Sequence, residues 1–319
     1  MKFLGSKVVI IGAGMVGSAT AFSLSIQGVC SEIVLVDSNK EKAMGEVLDL
    51  QHSIEYQSRN VRISFGEYNE CKNANIVIIT ASIPMAGIKN RIDMLHKNIP
   101  IMNDIVDRIM KSGFDGHLIV VSNPVDVLSY HVYKRSGLPK AQVIGTGTAL
   151  ETARLKQIIG HIMRIDPRSV QAYSMGEHGE THMVPWSHVR VAGKGFQEVM
   201  EDNPHRFENI DLDLLLKQTG EAGYEVLKRK GSTQFGIASA VTGIVSSILR
   251  DENRMITVST LLEGEYGESD VFCGVPAILG KEGVIEIGEF RLTPEEQEKF
   301  SRSAQAIRNA IQSIQETIE

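Results

Sequence analysis

Cysteine is scarce in this chain. Cys30, Cys71 and Cys273 are scattered, with no metal-like spacing among them, so a cysteine-based metal site is set aside. The odd, sparse count fits a reducing cytoplasm. No Lys/Arg-rich run of any length stands out beyond Lys228-Arg229-Lys230, and the net charge is -6, which argues against general nucleic-acid binding. One uncharged stretch, Val8 to Ser31, preceded by Lys2 and Lys7, superficially resembles a signal peptide or membrane span. Its three glycines within six positions, followed by Ser, Thr and Gln, make a poor apolar helix. Internal repeats and low-complexity linkers are also missing. What remains is an ordinary globular balance, 42% hydrophobic and 23% charged, over 319 residues, enough for a large core and two domains.

The uncharged stretch has another explanation. Lys7 to Asp37 reads as strand, glycine turn, helix, strand, acid. The turn is Gly12-Ala13-Gly14-Met15-Val16-Gly17, and Asp37 lies 20 residues beyond Gly17. A GxGxxG alone is weak; its place between strand and helix makes it a dinucleotide-binding signature. Gly12 permits the tight turn, Gly14 lets backbone approach a pyrophosphate, and Gly17 lets helix pack on strand. Met15 and Val16 open the helix, whose N-terminus offers unpaired N–H groups to phosphate. Asp37 can accept hydrogen bonds from ribose hydroxyls and would repel a 2′-phosphate, so NAD is favoured over NADP.

Further along, residues 39–54 have a helical pattern, Val61 to Phe65 alternates like a strand, and Ile76-Val77-Ile78-Ile79 is an apolar run of the buried parallel-sheet kind. Thr80 to Asn90, with Pro84 and Gly87, is expected to be a loop. A helix over 93–111, a strand at 118–121 ending in Ser122-Asn123-Pro124, and a short strand at 143–145 follow. This alternation predicts an α/β doubly wound parallel sheet over residues 1–146. Residues 147–319 change character: a helix from Thr148, short strands at 169–173 and 187–192, helices over 205–250 interrupted at Gly231, antiparallel strands over 255–287, and a closing helix from Pro294. They predict a second, α+β domain packed closely on the first.

Several residues could carry chemistry. His178 sits between glycines in Gly176-Glu177-His178-Gly179 and is suited to proton exchange near neutrality, though on that string alone a surface-loop histidine is slightly favoured. His182 invites a metal reading, but His-Gly-Glu-Thr-His is not HExxH, and no metal site is expected. Glu151 and Arg154 share a helix face; Thr148-Ala149-Leu150-Glu151 also fits a capping box, in which Glu151 would bond back to the helix start. Arg91 follows the Pro84–Gly87 loop. Asn123 ends a strand, where open parallel sheets place ligands.

In combination, GxGxxG, the strand-ending Asp37, the loop with Arg91, SNPVD at 122–126, GTGTALETAR at 145–154, GEHG at 176–179 and GVPAILG at 274–280 resemble the L-lactate/malate dehydrogenase family over almost the whole chain. The resemblance implies a Rossmann domain with NAD, and His178 as the proton donor in reducing a 2-oxo acid, with Glu151 as its carboxylate partner. It further implies that Arg154 clamps the substrate carboxylate and Arg91 closes over the substrate and polarises its carbonyl. Asn123 would contact the carbonyl region and the nicotinamide ribose, Thr80 and Ala81 the adenosine side, and Ile237 the nicotinamide face. The family usually has aspartate at Glu151. At Met85, malate enzymes carry arginine and lactate enzymes glutamine; Met85 cannot pair with a second carboxylate.

The substrate side chain is expected near Met85, Gly223 and Thr233. A flexible apolar wall and a missing Cβ there suggest medium or branched aliphatic 2-oxo acids such as 2-oxoisocaproate, besides pyruvate. A strict L-lactate dehydrogenase is the alternative, and a non-catalytic NAD-binding regulator the rival of another class. Family membership implies a homo-oligomer, dimer or tetramer, with a small-molecule substrate and neither nucleic acid nor membrane as partner.

Overall fold

The computed structural model describes residues 5–83 and 91–318, and for 91–93 and 314–318 the backbone alone. Runs of β-branched residues form the strands of the first half: β1 (Lys7–Ile11), β2 (Glu32–Val36), β3 (Arg62–Phe65), β4 (Ile76–Ile79), β5 (His117–Val120) and β6 (Val143–Gly145). Helices α1 (Met15–Ile26), α2 (Lys40–Ser53), α3 (Arg91–Lys111) and α4 (Val125–Ser136) alternate with them. The strands pair in parallel in the order β6-β5-β4-β1-β2-β3. Both faces are covered, which is why the strands are almost purely apolar. Val9, Val34 and Val77 feed one core; Ile10, Leu35 and Ile78, one residue on in each strand, feed the other.

The second half contains α5 (Ala149–Met163), β7 (Val170–Gln171), β8 (Arg190–Val191), β9 (Lys194–Gly195), α6 (Phe196–Asp202), α7 (Leu212–Lys230), α8 (Phe235–Leu249), β10 (Arg254–Glu263), β11 (Ser269–Gly280), β12 (Gly283–Ile287) and α9 (Pro294–Ile318). The strand expected at 169–173 shortens to β7. That expected at 187–192 becomes a 3-10 turn at Trp186–His188 and a hairpin, β8 to β9. The hairpin turns through positive φ at Ala192 and Gly193, the twist that two-residue hairpins favour. α7 stops at Gly231, φ 81°, as its glycine predicts.

The two halves share one sheet. β10 pairs antiparallel with β6 through Ser259 and Gly145, and β11 and β12 extend the sheet to nine strands. Gly145 permits this contact: a Cβ there would lie 2.8 Å from the Ser259 Cβ and 2.3 Å from Ser129 Oγ. Among the described residues no helix is long and apolar enough to cross a membrane.

Candidate active site

Strand order reverses between β1 and β4, and open sheets bind ligands beyond the carboxyl ends of strands at such a point. The glycine turn lies there. Gly12 has φ 109°, and a Cβ on it would come within 2.8 Å of Ala81 N and Thr80 Oγ1. A Cβ on Gly17 would fall 1.9 Å from the Gly12 carbonyl oxygen, whereas one on Gly14 would meet nothing within 4 Å. Gly17 therefore closes helix on turn, and Gly14 leaves an open face at the start of α1, beside exposed Met15 and half-buried Val16. Asp37 accepts hydrogen bonds from Ala13 N (2.6 Å) and Asn39 N (2.8 Å), fixing the carboxylate beside the turn. Thr80 Oγ1 donates to the Gly12 carbonyl at 2.9 Å, and Ala81 accepts from Ser122 Oγ at 2.6 Å. Ile237 on α8 is half-buried against the core behind α1. An open glycine turn at a helix N-terminus, with an acid held at the next strand's end, fits a dinucleotide.

The second part of the site is assembled by side chains. His178 Nδ1 lies 3.0 Å from Glu151 Oε1. The Glu151 side chain is 6% exposed and that of His178 25%, so the imidazole is backed by a dry carboxylate while part of it stays accessible. Arg154 Nη1 lies 3.3 Å from the same Glu151 oxygen. Burial pushes the Glu151 carboxyl up, but His178 and then Arg154 outweigh it, leaving it below the ordinary glutamate range. The capping box does not form: Thr148 makes no side-chain cap bond and donates instead to the Ser174 carbonyl at 2.6 Å. The additional methylene of Glu151 therefore does not prevent it from reaching the imidazole.

The loop carrying His178 is held residue by residue. Gly176 and Gly274 exchange two backbone hydrogen bonds of 2.9 Å. Glu177 N donates to Ser303 Oγ on α9 at 2.8 Å, and His178 N to Asp126 Oδ2 on α4 at 2.7 Å. Gly274, in the GVPAILG segment, is required for this approach, since a Cβ there would lie 2.7 Å from the Gly176 oxygen. Asn123, exposed at the end of β5, accepts through its backbone carbonyl from Asn98 Nδ2 at 3.0 Å. Asn98 also accepts from Ile83 N at 3.1 Å, joining the start of the 80–90 segment to Asn123.

Not every expected residue is placed. Met85 and the Arg91 side chain lie outside the described residues. Thr233 and Gly223 are half-buried, and the space over Gly223 is not empty: a Cβ there would lie 3.0 Å from Arg154 Nη2. His182 is buried with Nδ1 2.8 Å from the Gly179 carbonyl oxygen, packed on Gly220 of α7. Among the described residues no group of three His, Cys, Asp or Glu could hold a metal.

Sequence reasoning missed Asp126, Asn98 and Ser303. Asp126 stands inside SNPVD, but an acid in a helix's first turn reads as a dipole partner. Asn98 and Ser303 lie in helical patterns with nothing to mark them.

A dinucleotide-binding sheet joined to a histidine–carboxylate pair and an arginine defines an NAD-dependent oxidoreductase. Residues 6–145 match the model of the lactate/malate dehydrogenase NAD-binding domain, and 148–318 that of its alpha/beta C-terminal domain. The chain belongs to the lactate/malate dehydrogenase family. It is 45% identical to L-lactate dehydrogenase 3 of Bacillus anthracis over 314 residues, 98% of this chain and 99% of the relative. Its fold is similar to that of the minor L-lactate dehydrogenase from Enterococcus mundtii in the ligands-bound form (TM-score 0.94, 42% identity, 97% and 98% of the two chains). It is also similar to MGS-M5, a lactate dehydrogenase from a Medee basin deep-sea metagenome (TM-score 0.94, 40% identity, 97% and 99%).

Proposed function

We propose that this protein is an L-lactate dehydrogenase that reduces pyruvate with NADH, with residues 1–146 binding the nucleotide and 147–319 the substrate. The observation that carries the reading is the buried Glu151 at 3.0 Å from His178, with Arg154 against the same carboxylate. A non-catalytic nucleotide binder needs none of the three. When bound, NADH supplies the hydride. His178 holds the proton for the carbonyl oxygen, and Glu151 favours its charged form and fixes the ring. Arg154 presents a planar fork to the substrate carboxylate. Arg91, by resemblance, polarises the carbonyl, with Asn123 beside it.

On the nucleotide side, Gly12, Gly14, Met15, Val16 and Gly17 form the turn for the phosphates and Asp37 takes the ribose hydroxyls. Thr80 and Ala81 flank the adenosine, and Ile237 backs the nicotinamide. The buried thiols of Cys30, Cys71 and Cys273 are in keeping with the cytoplasm. Exposed apolar side chains on α2 (Met44, Leu48) and α7 (Tyr224, Leu227) support a homo-oligomer.

A broader 2-hydroxy acid dehydrogenase, active on 2-oxoisocaproate, is the second reading, favoured by Met85 at a position where lactate enzymes carry glutamine. Two observations make it the weaker one. The guanidinium of Arg154 fills the space that Gly223 was expected to leave for a longer side chain, and the relatives described above are all named lactate dehydrogenases. The test is catalytic efficiency with NADH on pyruvate, 2-oxobutyrate, 2-oxoisocaproate and oxaloacetate. Efficiency highest on pyruvate and falling steeply with chain length is expected. Equal or greater efficiency on 2-oxoisocaproate would return the assignment to the broader enzyme, and preference for oxaloacetate would overturn both.

A further inference from the structure

We propose that Asp126 is a positioning residue for the proton donor, a second carboxylate that holds the His178 main chain from α4 and favours the charged imidazole. The inference rests on His178 being the donor. Asp126 is 3% exposed and is engaged through both oxygens: Oδ2 accepts from His178 N at 2.7 Å and Oδ1 from Ser259 Oγ at 2.6 Å. The residue thus ties three elements together: α4 of the nucleotide half, the GEHG loop, and β10 beside its junction with β6. An ionised carboxylate, which only accepts, suits both bonds. Burial pushes its carboxyl up to about 6, against the bonds from Ser259 and His178, so a buried charge is retained at a cost that an apolar or amide side chain would avoid.

Glu151 and Arg154 on α5 face the imidazole. Glu177 in the loop and the buried thiol of Cys273 on β11 lie near Asp126. Glu177 is itself bonded by Thr181 Oγ1 at 2.6 Å. Glu151 and Asp126 therefore meet His178 at different atoms, one at ring Nδ1 and the other at the main-chain N–H.

The test is Asp126→Asn, which keeps the shape and one acceptor but removes the charge. The titration of the His178 imidazole is followed by NMR in the unliganded protein, its resonance assigned by its loss in His178→Gln. The expected midpoint falls by about half a pH unit or more, since a nearby negative charge favours the imidazolium. The alkaline limb of pyruvate reduction moves to lower pH with it, and kcat falls roughly tenfold while NADH affinity is unchanged. An unmoved midpoint and limb would overturn the inference, even with a lower melting temperature.

Should Asp126→Asn fail to fold, Ser259→Ala decides. It removes one bond that favours the ionised carboxylate, so the acid limb of the reduction profile is expected to rise in pH. An unmoved acid limb would overturn the proposal. If turnover survives in His178→Gln, the donor reading itself has failed, and this inference with it.

Discussion

The glycine-turn end and the histidine–carboxylate end of this candidate site are built differently. The first is backbone geometry compressed into one stretch: Gly12, Gly17 and Asp37 fall within a single strand-turn-helix-strand unit, and the Ala13–Asp37 bond spans 24 positions. The second is made of side chains gathered from across the chain. His178 meets Asp126 over 52 positions, and Glu177 meets Ser303 over 126. A turn held by glycines fails through steric clash. A histidine held by carboxylates fails through lost charge and orientation while the fold survives. Each half should therefore break without the other.

The largest effect is expected from His178→Ala. Pyruvate turnover should fall by about a thousandfold, within the range for loss of a general acid. NADH affinity, measured by fluorescence titration, should be nearly unchanged because the phosphate and ribose contacts proposed for the glycine turn and Asp37 lie at the other end. A parallel loss of NADH binding would erase the distinction between the two regions.

The same contrast explains what the sequence made legible. The doubly wound order and the glycine turn follow from local patterns: uninterrupted apolar runs, a helix start and a strand-ending acid. The resemblance offered residue types for the proposed catalytic half, but not their mutual geometry. Nothing in Thr148-Ala149-Leu150-Glu151 decides between capping and reaching a histidine 27 positions away. That depends on Thr148 being drawn to Ser174, a tertiary contact. Asp126 was hidden for the same reason, and so was the continuity of the sheet through Gly145 and Ser259.

Gly17→Ala should have the next largest effect, on the nucleotide side. Its Cβ would collide with the Gly12 carbonyl, and relieving such a clash costs about 1–3 kcal/mol. Thermal unfolding should show a lower melting temperature, and NADH affinity should drop with it. An unchanged melting temperature would mean that α1 does not need its close approach to the turn.

Asp37→Ser is expected to act more gently. It removes the charge that repels a 2′-phosphate and, with it, acceptors for Ala13 and Asn39. Preference for NADH over NADPH should shrink roughly tenfold, read as the ratio of the two catalytic efficiencies, with some loss in NADH efficiency. Equal use of both cofactors by the unaltered protein would contradict the role given to Asp37.

Whether Glu151 supports a charged His178 is read from the pH profile of Glu151→Gln. With His178 as the proposed donor, reduction needs a protonated imidazole and the rate is expected to fall as pH rises. Glu151 is held in its ionised form by His178 and Arg154 and favours the protonated ring in return, a contribution present above the ordinary glutamate range and lost as pH falls through the depressed value. Removing that charge should move the alkaline limb of pyruvate kcat/KM to lower pH by about one pH unit, with slower turnover at neutral pH. Superimposable profiles for the variant and the unaltered protein, with only the melting temperature changed, would contradict the claim and leave Glu151 a structural residue.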